Sequence, residues 1–259
     1  NNNIDSLIKN PQFEKISNKY VTVLGRDNDP KKVNEVGRLS LFFRKMGWEL
    51  ITSPGLPLII KFVYPKSTVS HFSNVSNAVA FTIDDGFCGL DNSNGCMVEE
   101  VRHLLKSYNA HATFFVAGTH CNNVSIDLIN NLIMDGNEIS NHNMMDWKYD
   151  DYSGEDFEFD LVLSNKILEN YNQNPTKWYR APFGALSQTM NEVISKYNLV
   201  HSIPDVFAHD TYIPDPKWIS NHILRKVKPG SIILIHMPEK GVREWNLNAI
   251  DLTLKGLRE

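Results

Sequence analysis

Short apolar runs alternate with segments of helix length along most of the chain. The first strong run, residues 78–83 (AVAFTI), is typical of a strand buried in a parallel sheet. Further strands are predicted at 112–116, 138–140, 178–180, 199–203 and 231–236, and helices at 97–108, 187–197 and 217–227. Alternation on this scale predicts an α/β fold whose parallel sheet is either closed into a barrel or doubly wound.

Two further helices are predicted from the residues that begin them. Ser125 has the side chain of an N-cap and precedes a segment that ends near Gly136. The sequence 153–156 (SGED) resembles a capping box, and the long helix after it is expected to turn a set of apolar side chains inward: Phe157, Leu161, Leu168 and Tyr171.

The first 75 residues are predicted to form an N-terminal helical extension and connector, and residues 76–259 the catalytic domain. Within the extension, a helix is predicted from Lys32 to Leu50, and its apolar positions recur at helical spacing: Val36, Leu39, Phe43 and Met46. Packing of this helix against the catalytic domain is favoured over binding to a membrane surface, which is retained as the alternative. Pro54, Pro57 and Pro65 then mark an extended connector.

Composition excludes several classes of protein. With 259 residues, 42% of them apolar and 22% charged, the chain is long enough for one large α/β domain with an appendage. A net charge of −4 argues against a nucleic-acid partner. The most apolar stretch near the front, residues 56–64, is interrupted by Pro57 and Lys61 and is far shorter than the ~20 residues of a membrane span. We therefore expect no transmembrane segment.

The chain has three cysteines, Cys88, Cys96 and Cys121, and this odd number does not indicate a disulfide framework. Cys88 and Cys96 bracket a glycine-rich loop and form either one loop-closing bridge or two unpaired thiols. Glycosylation sequons occur at Asn74 and Asn123, as chance also allows in an asparagine-rich chain. The expected location is secreted, at the cell surface or in an endomembrane lumen, and the oligomeric state is left open.

Residues suited to chemistry follow the first strong run. Asp84 and Asp85 end the predicted strand, and ligands bind at the carboxyl ends of strands in α/β proteins, although Asp-Gly is also a common turn signal. His142 and Asp146 stand four residues apart, a spacing that lets two ligands converge on one ion if the segment is helical or tightly turned. His236 ends another apolar strand.

These features, together with Arg180 in the sequence 180–184 (RAPFG), occur in an order that resembles the NodB-homology polysaccharide deacetylases. That family carries signatures of the form T-F-D-D-G, H-x-x-x-H, R-x-P-Y, D-W and L-x-H. The resemblance runs from about Val79 to Ile250 and implies a distorted (β/α) barrel. It also implies a metal-dependent hydrolase that removes N-acetyl groups from a polysaccharide or oligosaccharide containing N-acetylglucosamine, such as chitin.

The resemblance places Asp85, His142 and Asp146 as ligands of one divalent metal ion. Asp146 stands where the family has its second histidine. Two carboxylates and a divalent ion sum to zero formal charge, whereas the usual single aspartate leaves one positive charge, so the ion is expected to be a weaker Lewis acid. Zinc is the family's metal, and the harder ligand set brings in cobalt or manganese as alternatives. Loss of metal binding is the competing hypothesis.

The resemblance also assigns roles in hydrolysis. Asp84 is the base that removes a proton from the attacking water, Arg180 orients Asp84, and His236 is the acid that protonates the leaving nitrogen. A buried carboxylate should keep His236 protonated, and both Asp210 and Asp205 qualify, with Asp210 preferred. The predicted substrate contacts are a backbone N–H near Phe183 for the oxyanion, Leu234 for the acetyl methyl, and Trp147 and Tyr212 for sugar rings.

The sequence leaves two alternatives open. The change from histidine to Asp146 is compatible with a degenerate member of the family that binds glycan without hydrolysing it. Retention of Asp84, Arg180 and His236 argues against that hypothesis, because a binding protein does not need an acid and a base. The other alternative is an amidohydrolase that acts on a small or lipid-linked N-acyl sugar.

Overall fold

A parallel sheet of seven strands organises the structure, a computed structural model that describes residues 2–21, 36–52, 60, 62–89, 92, 94–174 and 176–259. The strands are β1 (Ala80–Gly86), β2 (Thr113–Val116), β3 (Glu138–Asn141), β4 (Trp178–Tyr179), β5 (Val200–His201), β6 (Val206–Phe207) and β7 (Ile232–His236). The helices are α1 (Asn2–Ile8), α2 (Pro11–Val21), α3 (Arg38–Ile51), α4 (Val98–Ser107), α5 (Ile126–Met134), α6 (Gly154–Leu168), α7 (Gln188–Lys196), α8 (Pro216–Lys226) and α9 (Trp245–Arg258).

The sheet is a curled half-barrel with the strand order β5-β4-β3-β2-β1-β7-β6, which confirms the predicted α/β barrel. β5 and β6 are its two edges. The connector that precedes β1 crosses the opening near these edges, where Val69 pairs with Ser202 and His71 pairs with Ser231. The Nδ1 atom of His71 also lies 3.1 Å from a carboxylate oxygen of Asp205. The opening of the half-barrel is therefore partly covered by residues outside the sheet.

Side chains alternate along the paired strands β1 and β7, so that one face of each strand packs in the core and the other lines the half-barrel. Ile83 on β1 and Ile235 on β7 are fully buried in the core between the sheet and the helices. Successive side chains of a strand point to opposite faces, so Asp84 and His236 point into the half-barrel. Most of the predicted strands and helices are present, with ends that differ by up to three residues where the structure describes them.

Serine caps begin the helices as predicted. The side chain of Ser125 accepts a hydrogen bond from the backbone N–H of Leu128, and that of Ser153 accepts one from Asp156. Four elements were not predicted: α1, α2, β6 and α9. β6 has two residues, too few to show a period.

The helices α1 and α2 pack onto the body that contains the sheet. Ile4 and Phe13 belong to the main core, and Tyr20 stacks on Tyr152 with 3.7 Å between ring centroids. The extension thus shares cores with the rest of the chain, while the boundary at residue 75 stays a prediction.

The prediction that the apolar side of the third helix faces the catalytic domain is wrong. Leu39, Phe43 and Met46 are exposed, and none of the residues of α3 is buried. The helix instead contacts the body through its opposite side, for example where Trp48 Nε1 donates a hydrogen bond to the carbonyl oxygen of Phe207. The predicted helix start at Lys32 and the prolines Pro54 and Pro57 lie outside the described residues. Among the described residues, no helix has both the length and the hydropathy needed to span a bilayer.

Cys88 and Cys96 form a disulfide that closes the loop after β1. This selects the bridge over the two unpaired thiols. Cys121 is buried, and burial raises the pKa of its thiol to about 12, which leaves it protonated and unreactive at neutral pH.

Asp160 on α6 braces the loop that follows β3. Its carboxylate accepts hydrogen bonds from the amide of Asn143 (2.9 Å), the backbone N–H of Met144 (3.0 Å) and the hydroxyl of Tyr149 (3.0 Å). All of these groups are buried. Burial raises the pKa of Asp160 to about 7, although the hydrogen bonds that it accepts lower it. The shape of the loop therefore depends on one buried carboxyl group.

Replacement of Asp160 by alanine should lower the free energy of unfolding by about 3 kcal/mol, because several buried donors lose their acceptor. Asp160→Asn should lower the free energy of unfolding by less than Asp160→Ala does.

The stability of the protein should also depend on pH through Asp160. Because the folded-state pKa of Asp160 lies above the unfolded value of about 3.9, its protonation stabilises the fold, and this contribution is lost as pH rises from about 4 to about 7. Asp160→Asn should accordingly gain stability relative to the wild type over that range. Chemical denaturation at several pH values measures both effects, with Glu155→Ala on the exposed side of α6 as the control. Equal losses for Asp160→Ala and Glu155→Ala would contradict the bracing role.

Candidate active site

Asp84 and Asp85 reach the site because β1 ends there. In the parallel pairing of β1 with β7, Asp84 is the register partner of His236, so the two side chains start from neighbouring positions. Asp85 has a φ of +60°, in the left-handed region that side chains seldom adopt. Backbone strain of this kind is concentrated at functional sites.

Three side chains converge beside this strand end. One potential ligand atom from each of Asp85, His142 and Asp146 lies within 4.8 Å of the other two. His142 Nε2 is 3.6 Å from Asp85 Oδ1. The segment from 142 to 146 is a tight turn and not a helix: Asn143 has a φ of +62°, and its N–H donates to the side chain of Asn141 at 2.7 Å. A tight turn therefore brings His142 and Asp146 together, which is one of the two arrangements that their four-residue spacing allowed.

His142 is oriented by its second ring nitrogen. Nδ1 lies 2.7 Å from the carbonyl oxygen of Arg180, which can only accept, so Nδ1 carries the proton and Nε2 is left as a ligand. Metal-binding histidines are commonly fixed in this manner. Burial lowers the pKa of His142, but the carboxylates of Asp85 and Asp84 outweigh burial and raise it.

The donor set fits a divalent cation. It offers one neutral imidazole nitrogen and two carboxylates, a combination that zinc, cobalt and manganese accept. The pKa values of the two carboxyl groups, Asp85 and Asp146, are shifted in opposite directions. Burial and the neighbouring Asp85 raise the pKa of Asp146, whereas the pKa of Asp85 is held well below its usual range, against burial, by Arg243 and His142. A cation between the two carboxylates would relieve this repulsion.

Arg180 holds Asp84 from inside the half-barrel. Its Nη1 donates hydrogen bonds to Asp84 Oδ1 at 2.6 Å and to Thr82 Oγ1 at 2.8 Å, and its Nε donates to the carbonyl oxygen of Ser202 at 2.9 Å. The guanidinium lies over the ring of Phe115, 4.0 Å from the centroid. These contacts fix the orientation of the Asp84 carboxylate.

His236 is paired with Asp210. Nδ1 of His236 lies 2.9 Å from Asp210 Oδ1, and the second oxygen of Asp210 accepts the backbone N–H of His236 and the side-chain amide of Asn246. Burial lowers the pKa of His236, but the charge of Asp210 outweighs it and raises the pKa to about 9. His236 is therefore charged at neutral pH in this structure.

Asp205 is not part of the site, which corrects its inclusion among the catalytic candidates. It precedes β6 and accepts the backbone N–H of Ile232 at 2.7 Å, at the start of β7, whereas Asp210 follows β6. Because β6 and β7 are parallel, only residues after β6 reach the end where His236 lies.

The four predicted substrate contacts have different surroundings. Phe183 is 56% exposed and has a φ of +57°, and Leu234 lies two residues before His236 on the same side of β7. Trp147 is partly buried next to Tyr149. Tyr212 follows Asp210 and contacts the ring of His209, 4.6 Å between centroids. Their roles toward substrate stay predictions.

Two residues beside the cluster were not predicted. Nη1 of Arg243 donates to Asp85 Oδ2 at 2.7 Å, which leaves Oδ1 directed at His142. His120, after β2, places Nδ1 3.0 Å from the carbonyl oxygen of Asp85. Burial lowers the pKa of Arg243, but Asp85 and then Asp146 outweigh it and raise it further above its usual value. The one sequence signal for both residues is their position after a strand's carboxyl end.

Comparison with known proteins agrees with this geometry. The family model for polysaccharide deacetylase matches residues 73–201, about half of the chain. A chitooligosaccharide deacetylase of Azorhizobium caulinodans is 29% identical over 161 residues, which cover 62% of this chain and 73% of that protein.

Solved structures share the fold at low sequence identity. A peptidoglycan N-acetylglucosamine deacetylase superposes with a TM-score of 0.65 at 22% identity, over 74% of this chain and 86% of that one. A CE4 family pseudoenzyme from Bacillus anthracis superposes with a TM-score of 0.63 at 19% identity, over 75% of this chain and 65% of that one, just under two thirds of its length. The chain belongs to the NodB-homology polysaccharide deacetylases, the family 4 carbohydrate esterases.

Proposed function

We propose that this protein is a metal-dependent N-deacetylase of glycans that contain N-acetylglucosamine. The observation that carries the proposal is the adjacency of Asp84 and His236 on paired strands, beside the cluster of Asp85, His142 and Asp146. Amide hydrolysis needs an activated water, stabilisation of the oxyanion and a proton for the departing amine, and these residues provide for each requirement.

Each residue has a defined part in the mechanism. Asp85, His142 and Asp146 would hold a divalent ion, which when bound would supply Lewis-acid chemistry to the amide carbonyl and to the attacking water. Asp84, fixed by Arg180, takes a proton from the attacking water. His236, kept protonated by Asp210, gives its proton to the leaving nitrogen. Phe183 and Leu234 contribute the oxyanion N–H and the surface against the acetyl methyl.

Arg243 supports the proposal by restoring the charge that Asp146 removes. With a divalent ion, the two carboxylates and the guanidinium sum to one positive charge, the same as one aspartate and two histidines. Arg243 also occupies one oxygen of Asp85, and the other oxygen lies toward His142. We therefore assign Arg243 a positioning and charge-balancing role.

The second candidate is a glycan-binding protein without catalysis, and the fold likeness to a CE4 family pseudoenzyme is the observation that keeps it open. The contacts Asp84–Arg180 and His236–Asp210 are both formed here, which favours the enzyme. The disulfide Cys88–Cys96 supports an oxidising location, such as the cell surface or a secretory lumen.

Loss of the acid or the base should abolish turnover without unfolding the protein. Asp84→Asn and His236→Gln should each lower kcat for acetate release from a chitooligosaccharide by about 10²-fold to 10⁴-fold, because each removes a proton transfer. Acetate release is measured with zinc, cobalt or manganese present, and Asp127→Asn on the exposed side of α5 is the control. Full activity in either variant would refute the mechanism. Glycan binding by the wild type with no acetate released under any of these metals would establish the second candidate.

Removal of the partner of His236 should move the alkaline limb of the pH–rate profile. Asp210→Asn takes away the charge that raises the pKa of His236, so the acid loses its proton at lower pH and the limb shifts down by at least about one pH unit. Asp205→Asn is the matched control, because Asp205 lies at the opposite end of the sheet. A limb that stays in place in Asp210→Asn would show that His236 is not the acid.

Arg243→Gln should separate metal binding from turnover. The variant should bind cobalt or zinc as tightly as the wild type or more tightly, since a cation has been removed, while kcat falls by about 10²-fold. The acidic limb should move to higher pH, because less positive charge faces the proton that Asp84 removes. Isothermal titration and pH–rate profiles measure these effects.

Two further variants control for structural damage at Arg243. Arg243→Lys should retain part of the activity, and Asp146→His in the Arg243→Gln background should recover it by restoring the charge. A parallel loss of metal affinity and of folding stability in Arg243→Gln would indicate a merely structural role.

A further inference from the structure

The helix α3 presents its apolar side to solvent. Six large apolar side chains are between 46% and 73% exposed: Leu39, Phe42, Phe43, Met46, Leu50 and Ile51. All of them except Ile51 follow the spacing i, i+3, i+4, i+7, i+11, which places them on one stripe of the helix. Continuous apolar surface of this kind is uncommon on soluble monomers and marks a site of interaction.

Polar contacts hold the helix in this orientation. Arg44 Nη1 donates to the carbonyl oxygen of Tyr212 at 2.9 Å, and Lys45 Nζ pairs with Asp215 at 2.5 Å. Glu49 accepts from His222 Nδ1 at 2.8 Å. To turn the stripe inward, the helix would have to break these contacts and expose Trp48. The exposed stripe, defined by Leu39, Phe42, Phe43, Met46 and Leu50, is therefore a fixed feature of the surface.

A second apolar projection lies near the site on the connector. Phe62 is 89% exposed and Val63 is 67% exposed. Tyr64, next to them, donates a hydrogen bond from its hydroxyl to the carbonyl oxygen of Gly184 at 2.7 Å, beside the exposed ring of Phe183. This projection is thus attached to one loop of the active site, and α3 is attached through Arg44 to another, the loop that carries Asp210 and Tyr212.

We propose that the exposed stripe of α3 docks on the surface of a lipid bilayer, with Phe62 and Val63 as a second point of insertion. Charge distinguishes this occupant from a second copy of the chain. The exposed residues of α3 include Arg38 and no carboxylate, since its single acidic residue, Glu49, faces α8. A lipid surface offers phosphate groups to Arg38, whereas the exposed stripe of a second copy offers it no carboxylate.

Docking of this kind has a consequence for the substrate. Both anchoring points are tied to loops of the active site, so the mouth of the half-barrel would lie close to the lipid head groups. This part of the inference rests on the proposed function: the favoured substrate is then an N-acetyl sugar presented at a membrane surface, such as the head group of an amphiphile. The docking itself does not depend on catalysis.

Vesicle sedimentation with the full chain tests the docking. The vesicles contain phosphatidylcholine with about one quarter phosphatidylglycerol, and a second set contains phosphatidylcholine alone. The wild type should sediment with both, more strongly with the anionic set. Phe43→Ser combined with Leu50→Ser should reduce the partition coefficient at least about tenfold, because two inserted side chains are lost. Arg38→Gln should weaken binding to the anionic set alone.

A matched variant controls for the loss of an exposed apolar side chain. Met134 is 72% exposed on α5, away from the stripe, and Met134→Ser should bind vesicles as the wild type does. Thermal unfolding verifies that all variants fold, and acetate release from a soluble oligosaccharide should be unchanged in the double variant.

Three results would overturn the proposal. The first is a wild type that stays in the supernatant with both vesicle sets, and the second is equal binding by the wild type and the double variant. The third is a dimer in analytical ultracentrifugation that the double variant dissociates while no vesicle binding occurs, which would assign the stripe to a second copy. If the wild type bound vesicles but released no acetate from an oligosaccharide with any of the metals tested, the docking proposal would stand and the proposed function would be refuted.

Discussion

The parallel pairing of β1 with β7 is the constraint on which the site depends. Its register sets Asp84 beside His236, and the turn at Asp85 directs the next carboxylate toward His142. The outer side chains of the same strands are packed in the core, so a slip of one residue would turn the acid and the base into apolar surroundings and expose apolar groups to the site. Core packing and catalytic geometry are therefore fixed by one interaction.

The second requirement is the balance of buried charge. Asp84, Asp85 and Asp146 would repel one another in a poorly solvated site, and the chain places Arg180, Arg243 and protonatable histidines against them. The two arginines act on different carboxylates, since Arg180 holds the base from within the half-barrel and Arg243 holds a ligand from the loop after β7. The exchange of a histidine for Asp146 and the presence of Arg243 compensate one another in charge.

Much of the fold could be predicted because strands and helices alternate with clear periods and caps, as at Ser153. The grouping of Asp85, His142 and Asp146 was implied by the family resemblance, with the spacing of His142 and Asp146 compatible with one ion, and the structure brings the three residues together. Arg243 and His120 could not be found in this way, because each contacts Asp85 from a distant part of the sequence. Asp160 could not be found either, because an aspartate in the middle of a helix carries no sequence signal that it accepts hydrogen bonds from the loop after β3. The choice between Asp210 and Asp205 depends on the position of β6, because only a residue after this strand lies at the end of the sheet where His236 is. β6 has two residues, which is too short for a hydrophobic pattern that would reveal it in the sequence. The outward face of α3 also escaped prediction, because amphipathic spacing defines two faces without saying which one meets the protein.

X-ray absorption spectroscopy of the cobalt-loaded protein tests the metal site most directly, since it reports the ligands of the ion independently of turnover. One imidazole with the remaining ligands as oxygen atoms, and a second imidazole in Asp146→His, is the predicted result. Failure to retain about one equivalent of cobalt, or a wild-type ligand shell with two imidazoles or none, would contradict the assignment of Asp85, His142 and Asp146 as the ligands.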